Sequence, residues 1–251
     1  LALTSIVALT SGLASCTSGP GTLLESKTTP SAVIEGAQCA SGNRAYFGDT
    51  HLHTALSPDA GLAGTKLGLD EAYRFARGET VTSNSGQQAA LKRPLDFLVV
   101  ADHAENLGLA QGLADSDPEL LKSSLGQQLN ELLKAGKGRE AFYLLVQKMA
   151  KGPEAKISNE TFMRNVWKQN TEAAERYNDP GKFTALIGYE WTSQPGGGNI
   201  HRVVVFRDNK ALADQILPFS NFDSEDVEDL WAFMNFYEEK TGGRVLAIPH
   251  N

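Results

Sequence analysis

The chain contains five histidines, and each lies at one end of a short apolar run of the kind that forms strands. His51 and His53 close the run that opens Ala45-Tyr46-Phe47-Gly48-Asp49-Thr50. His103 follows Phe97-Leu98-Val99-Val100-Ala101-Asp102, His201 opens Val203-Val204-Val205-Phe206, and His250 closes Val245-Leu246-Ala247-Ile248-Pro249. None sits within a helix-like segment. Strands that alternate with helices build parallel sheets or barrels, and such folds place their chemistry at the carboxyl ends of the strands. The pattern therefore predicts an α/β fold with its histidines gathered at strand ends.

Alternate side chains of a strand face the same way, so His51 and His53 project together, about 7 Å apart along the backbone. Two imidazoles held like that can share a metal ion, although an isolated His-x-His also arises as two surface residues. Glu190 adds a carboxylate at a strand end between Tyr189 and Trp191. An unpaired carboxylate is costly there, and a bridging position between two cations removes the cost.

Strands are expected at about 45–53, 97–102, 183–190, 201–206 and 244–249. Between them, Asp70 is placed to cap a helix through Arg77 with Gly78 as its stop, and Asp117-Pro118 reads as a helix start. Leu121, Leu125, Leu129, Leu132 and Leu133 follow at helical spacing, and further helices are expected near 138–150 and 158–177. A last helix, capped by Ser224, carries Val227, Leu230, Trp231, Met234 and Tyr237. Residues 57–61 read as a turn, 79–93 as a loop and 194–199 as a Gly-rich loop. The helical stretch at about 115–180 exceeds what a crossover needs and predicts a lid or subdomain over the strand ends.

The formal net charge of -7 argues against a polyanion-binding surface, so no nucleic-acid partner is expected. Residues 1–15 are apolar and uncharged and end Leu13-Ala14-Ser15-Cys16, which resembles the hydrophobic region and lipobox of a bacterial lipoprotein signal. This implies export to the periplasm or outer membrane, with membrane contact through a lipidated Cys16 only. Residues 16–44, rich in Ser, Gly, Thr and Pro, read as a flexible tether, and 45–251 as the folded domain. With Cys16 acylated, Cys39 has no partner, so neither a disulfide nor a Cys-based metal site is expected. The chain starts at Leu1 and stops directly after a candidate ligand, and on that basis reads as a fragment.

Gly48-Asp49-Thr50-His51-Leu52-His53-Thr54 with Ser57-Pro58-Asp59, Asp102-His103, Gly188-Tyr189-Glu190, His201 and Pro249-His250 together resemble the PHP (polymerase and histidinol phosphatase) superfamily. The likeness covers about 45–251 and is strongest to a branch of exported bacterial proteins whose domain has no assigned function. It implies a distorted (β/α)7 barrel that hydrolyses phosphate mono- or diesters with two or three divalent metals. It also implies ligand roles. His51 and His53 would hold one metal and Glu190 would bridge it to a second, which His201 and His250 would complete; Asp59 and His103 would begin a third. The superfamily's late Asp-x-His does not occur in this sequence.

Imidazole and carboxylate ligands suit zinc, manganese or iron alike. Glu190, His103 and Arg202 are the expected catalytic residues, with Arg202 as a phosphate clamp. On composition alone Asp59 is equally a turn former, Arg202 a solvated side chain and Glu105 a loop or cap residue. Asp49 and Asp102 are expected to orient neighbouring imidazoles. Two other functions share these features: an amidohydrolase-like, sulfate or phosphonate ester hydrolase, and a lipid-anchored metal- or ligand-binding protein without turnover.

Overall fold

A run of alternating apolar residues with Gly where strands crowd together builds the sheet that the rest of the chain packs against. The computed structural model describes residues 44–250. The proposed signal segment, Cys16, Cys39 and all but the last residue of the tether lie outside the described residues. The chain divides at Gly48. Of the unit before it, the described part is 44–47, where the Arg44 guanidinium lies 5.2 Å from the Tyr46 ring centre. Everything below concerns the unit from Gly48 onward.

Five strands form one sheet: β1 (Gly48–Leu52), β4 (Phe97–Val100), β5 (Thr184–Ser193), β6 (Ile200–Phe206) and β7 (Val245–His250), in that spatial order. The pairs β1–β4 and β4–β5 are parallel, whereas β5–β6 and β6–β7 are antiparallel. A separate two-stranded hairpin, β2 (Val81–Thr82) with β3 (Gln88–Ala89), occupies the stretch expected to be a loop.

The sheet is strongly curled. If it were flat, its edge strands β1 and β7 would lie about 19 Å apart, four spacings of roughly 4.8 Å. Instead the rings of His51 on β1 and His250 on β7 have centres 4.1 Å apart. The architecture is thus a mixed α/β half-barrel, and the (β/α)7 barrel expected from the resemblance is not what the chain forms. The physical reason lies at 194–199. That connection is too short for a helical crossover, so β6 must return antiparallel to β5, and the alternation of strand and helix breaks there.

Side-chain alternation gives the sheet two different faces. The outer face carries Leu98, Val100, Tyr189, Trp191, Val204 and Phe206 into the main core. Against them pack α2 (Leu69–Ala76), α6 (Glu160–Tyr177) and α8 (Val227–Thr241). Helix α6 shows why these segments are helical. Asn159 caps it by accepting the Phe162 N–H at 2.9 Å, and Met163, Val166, Trp167, Asn170 and Ala174 then recur on one buried side. The inner face is lined by Val99, Ala101, Val203 and Val205, with Leu186 and Ile248 beside them.

A second core joins α1 (Pro58–Leu62), α3 (Leu109–Ala114), α4 (Ser124–Lys134) and α5 (Gly138–Met149) through Leu62, Leu109, Leu113, Leu120, Leu129 and Leu145. Here the details depart from expectation. Helix α4 is capped by Ser123, which accepts the Gly126 N–H, and Asp117-Pro118 leads only into a short 3-10 turn at Leu120–Lys122. Residues 57–61 are not a simple turn, because Pro58 at the first helical position starts α1. Helix α8 is capped by Asp226 instead of Ser224, and the four-residue α7 (Lys210–Ala213) precedes it. Among the described residues no helix is long and apolar enough to cross a membrane.

Candidate metal centre

The curl and the strand directions decide which residues meet. Because β6 runs antiparallel to β5, its first residues lie beside the last of β5, and Thr192 pairs with His201. β7 reverses again, and His250 pairs with His201. His103, just beyond β4, forms a parallel bridge with Glu190. Chain reversal therefore brings the start of one strand and the ends of the others to one rim.

Glu190 is the hub of that rim and is 1% exposed. Its Oε2 lies 2.8 Å from His53 Nε2, and 3.3 Å from both His51 Nε2 and His103 Nδ1. Its Oε1 lies 2.7 Å from His201 Nδ1 and 2.7 Å from His250 Nε2. Asp59, on α1, sits 3.1 Å from His53 Nδ1 and 3.8 Å from His103 Nε2. All five imidazoles and two carboxylates expected as ligands are thus brought together. Arg202 is not, since alternation turns it to the other face of β6, where its Nη1 donates to the His201 carbonyl at 2.7 Å.

The donors fit a cation. Three triads, His51–His53–Glu190, His53–Asp59–His103 and His103–Glu190–His201, each hold their ligand atoms within 4.8 Å of one another. Glu190 Oε1 is buried and close to two ring nitrogens, yet it makes no aligned hydrogen bond. A buried carboxylate oxygen left in that state is costly, and a positive charge beside it removes the cost. Nitrogen and oxygen donors without sulfur suit zinc, manganese or iron and do not select among them.

The electrostatics point the same way. Burial would raise the Glu190 carboxyl, but the surrounding histidines, His103 foremost, hold it well below the usual carboxylate range. Burial would also raise Asp59, but the hydrogen bonds from His53 and Ser57 and the charge of the neighbouring imidazoles together outweigh it and hold the carboxyl low. Burial pushes His103 down to about 4, so its charge acts on Glu190 only in acid, and at pH 7 the ring is neutral, the form that ligates. For His53, burial acts downward but hydrogen bonds to Asp59 and Glu190 prevail and lift it to about 10. The two carboxylates thus favour a positive charge at His53, whether a proton or a cation.

Supporting groups surround the cluster. Asp49 accepts the His51 N–H at 2.8 Å. Asp102 is fully buried and accepts both the backbone N–H and the hydroxyl of Thr54, fastening the segment after β1 to the end of β4. Burial pushes its carboxyl up to about 6 against those bonds. Its hydrogen bonds go to Thr54, not to an imidazole. Ser57 accepts the His103 N–H at 3.2 Å. Glu105 Oε1 accepts N–H groups from Thr192 and Asn221, and burial pushes this carboxyl up to about 8. Thr192 was not singled out from sequence, and Ser57 was named only as part of Ser57-Pro58-Asp59, with no role. For Thr192 a signal existed, because it lies two residues past Glu190 and so shares its face of the strand.

Comparison with curated proteins and with solved structures returned no match. Residues 40–251 match the model of a family described as "Protein of unknown function (DUF3604)", and the chain belongs to that family.

Proposed function

We propose that this protein is a metal-dependent hydrolase of phosphate mono- or diesters, exported and lipid-anchored through Cys16. The observation that carries the reading is the convergence of five histidines on one buried carboxylate, Glu190, with Asp59 against two of those histidines. The resemblance of the same residues to the PHP superfamily supports it, although the sheet is a half-barrel. Divalent cations bound there supply positive charge against phosphate oxygens and acidify a water molecule.

In this reading His51 and His53 would hold one cation, His201 and His250 a second, and Glu190 would serve both. Asp59 and His103 serve a third position. Glu190 and Asp59 are ionised at neutral pH and offset cationic charge, and His103 offers a neutral ring. Burial around Glu190 restricts water and strengthens each of these interactions.

The test is metal analysis of the purified protein, with hydrolysis of aryl phosphate mono- and diesters before and after chelation. Turnover that is lost to chelator and restored by zinc, manganese or iron is expected. A metal-replete protein that turns over neither ester would overturn the hydrolase reading in favour of a metal-binding protein. For anchoring, Cys16→Ser should move the protein from the membrane to the soluble fraction.

A further inference from the structure

Two residues past Glu190, the Thr192 hydroxyl lies 2.8 Å from His103 Nδ1 and 3.0 Å from His201 Nδ1. It is fixed there from several sides. Thr192 stands opposite His201 in the β5–β6 ladder, while its own N–H turns the other way and donates to Glu105 Oε1 at 3.2 Å. The residue is buried, and its β-branched side chain has little rotamer freedom in a strand.

A hydroxyl has one hydrogen to give and two lone pairs. It can satisfy two ring nitrogens only if at least one of them carries its own hydrogen, because two bare Nδ1 atoms would leave one facing an oxygen lone pair. His103 is the ring for which this choice matters. It belongs to two overlapping triads, and its Nε2 faces Asp59, whereas its Nδ1 faces Glu190 and Thr192. An imidazole that donates through Nδ1 presents its lone pair at Nε2.

We propose that Thr192 is a positioning residue that fixes which ring nitrogen of His103 carries its hydrogen, and so whether its lone pair serves the Asp59–His53 triad through Nε2 or the Glu190–His201 triad through Nδ1. The role rests on reading the cluster as a metal centre. Without Thr192 the Nδ1 of His103 keeps only Glu190 Oε2, 3.3 Å away, and the balance between the two ring forms shifts.

The test compares the full chain as wild type, Thr192→Val and Thr192→Ser. Two-bond proton–nitrogen spectra of histidine-labelled, metal-free protein read the tautomer, with the His103 signals assigned by their loss in His103→Gln. Zinc titration reads affinity. Wild type and Thr192→Ser should show the same single tautomer pattern, and Thr192→Val a mixed or reversed one, with zinc affinity lower by about 10–100-fold. An unchanged His103 pattern in Thr192→Val would overturn the proposal, as would an equal loss of affinity in the Val and Ser variants. If wild type takes up no zinc, the metal reading fails separately, and the ring spectra still decide the role of Thr192.

Discussion

His201 and His250 face each other across the β6–β7 ladder, their rings 5.2 Å apart and near parallel, and each places a nitrogen 2.7 Å from the same oxygen of Glu190. Forty-eight residues separate the two in sequence, counting from 202 to 249. What joins them is a pair of antiparallel ladders, so the position of the site depends on backbone direction as much as on side-chain identity.

Glu190→Gln keeps the shape of the hub and removes its charge. In the proposed metal centre this deletes the bridging ligand, and metal content should fall by at least one ion per chain. Ester hydrolysis should drop by more than ~100-fold, beyond what supporting residues around a metal typically cost. Circular dichroism should stay native, because a neutral amide in a buried polar pocket carries less desolvation cost than a carboxylate. Retained metal content in this variant would remove Glu190 from the centre.

Much of this rim was legible because His51, His53, His103, His201 and His250 all bordered apolar runs. His201 was the hard case. It begins its strand, and a reader who assumes parallel strands places it at the wrong end of the sheet. The short 194–199 connection held the answer, since it admits a hairpin and no crossover helix. Helix starts were missed for a different reason. Asp117-Pro118 has favourable local chemistry, but Leu120 is drawn into the second core, and the chain turns before Ser123 can cap α4. Tertiary packing overrode a good local signal, and no local rule contains that information.

Trp167 ties α6 to the outer face of the sheet. It is 1% exposed, lies between Tyr189 and Phe206, each 6.0 Å from it by ring centre, and donates its indole N–H to the Ala213 carbonyl at 3.0 Å. Trp167→Ala should cost about 3–5 kcal/mol by urea unfolding, from lost burial and the remaining cavity. Trp167→Phe should cost less, because most of the volume is kept while the Ala213 carbonyl loses its donor.

Asp208 gives a pH dependence away from the histidines. Burial would raise its carboxyl, but the Arg244 backbone N–H and the Arg207 guanidinium hold it below the usual carboxylate range. A carboxylate depressed in the folded state stabilises it fully above the unfolded value of about 3.9, and that contribution is lost as pH falls through the lower folded value. Asp208→Asn should therefore cost roughly 1 kcal/mol at neutral pH. The difference between variant and wild type should hold from pH 7 down to about 5 and shrink below about 4. A difference that grows on acidification would exclude this account of the contact between the end of β6 and the residue before β7.

Gly188 links packing to the site most directly. It stands two residues before Glu190 on the inner face of β5, where a Cβ would come within 2.4 Å of Val99 Cγ1 and 2.8 Å of the Val204 carbonyl oxygen. Gly188→Ala should destabilise the protein by about 1–3 kcal/mol through overpacking. Adding Val99→Ala removes the nearer clash but leaves the backbone oxygen, so the double variant should recover only part of the loss in stability. Because β5 must shift to admit the methyl group, Glu190 shifts with it, and metal content should fall even where the fold survives. Thermal unfolding and metal analysis on the same samples separate the two effects, and full metal content in a destabilised Gly188→Ala would show that the ligand cluster tolerates displacement of its central strand.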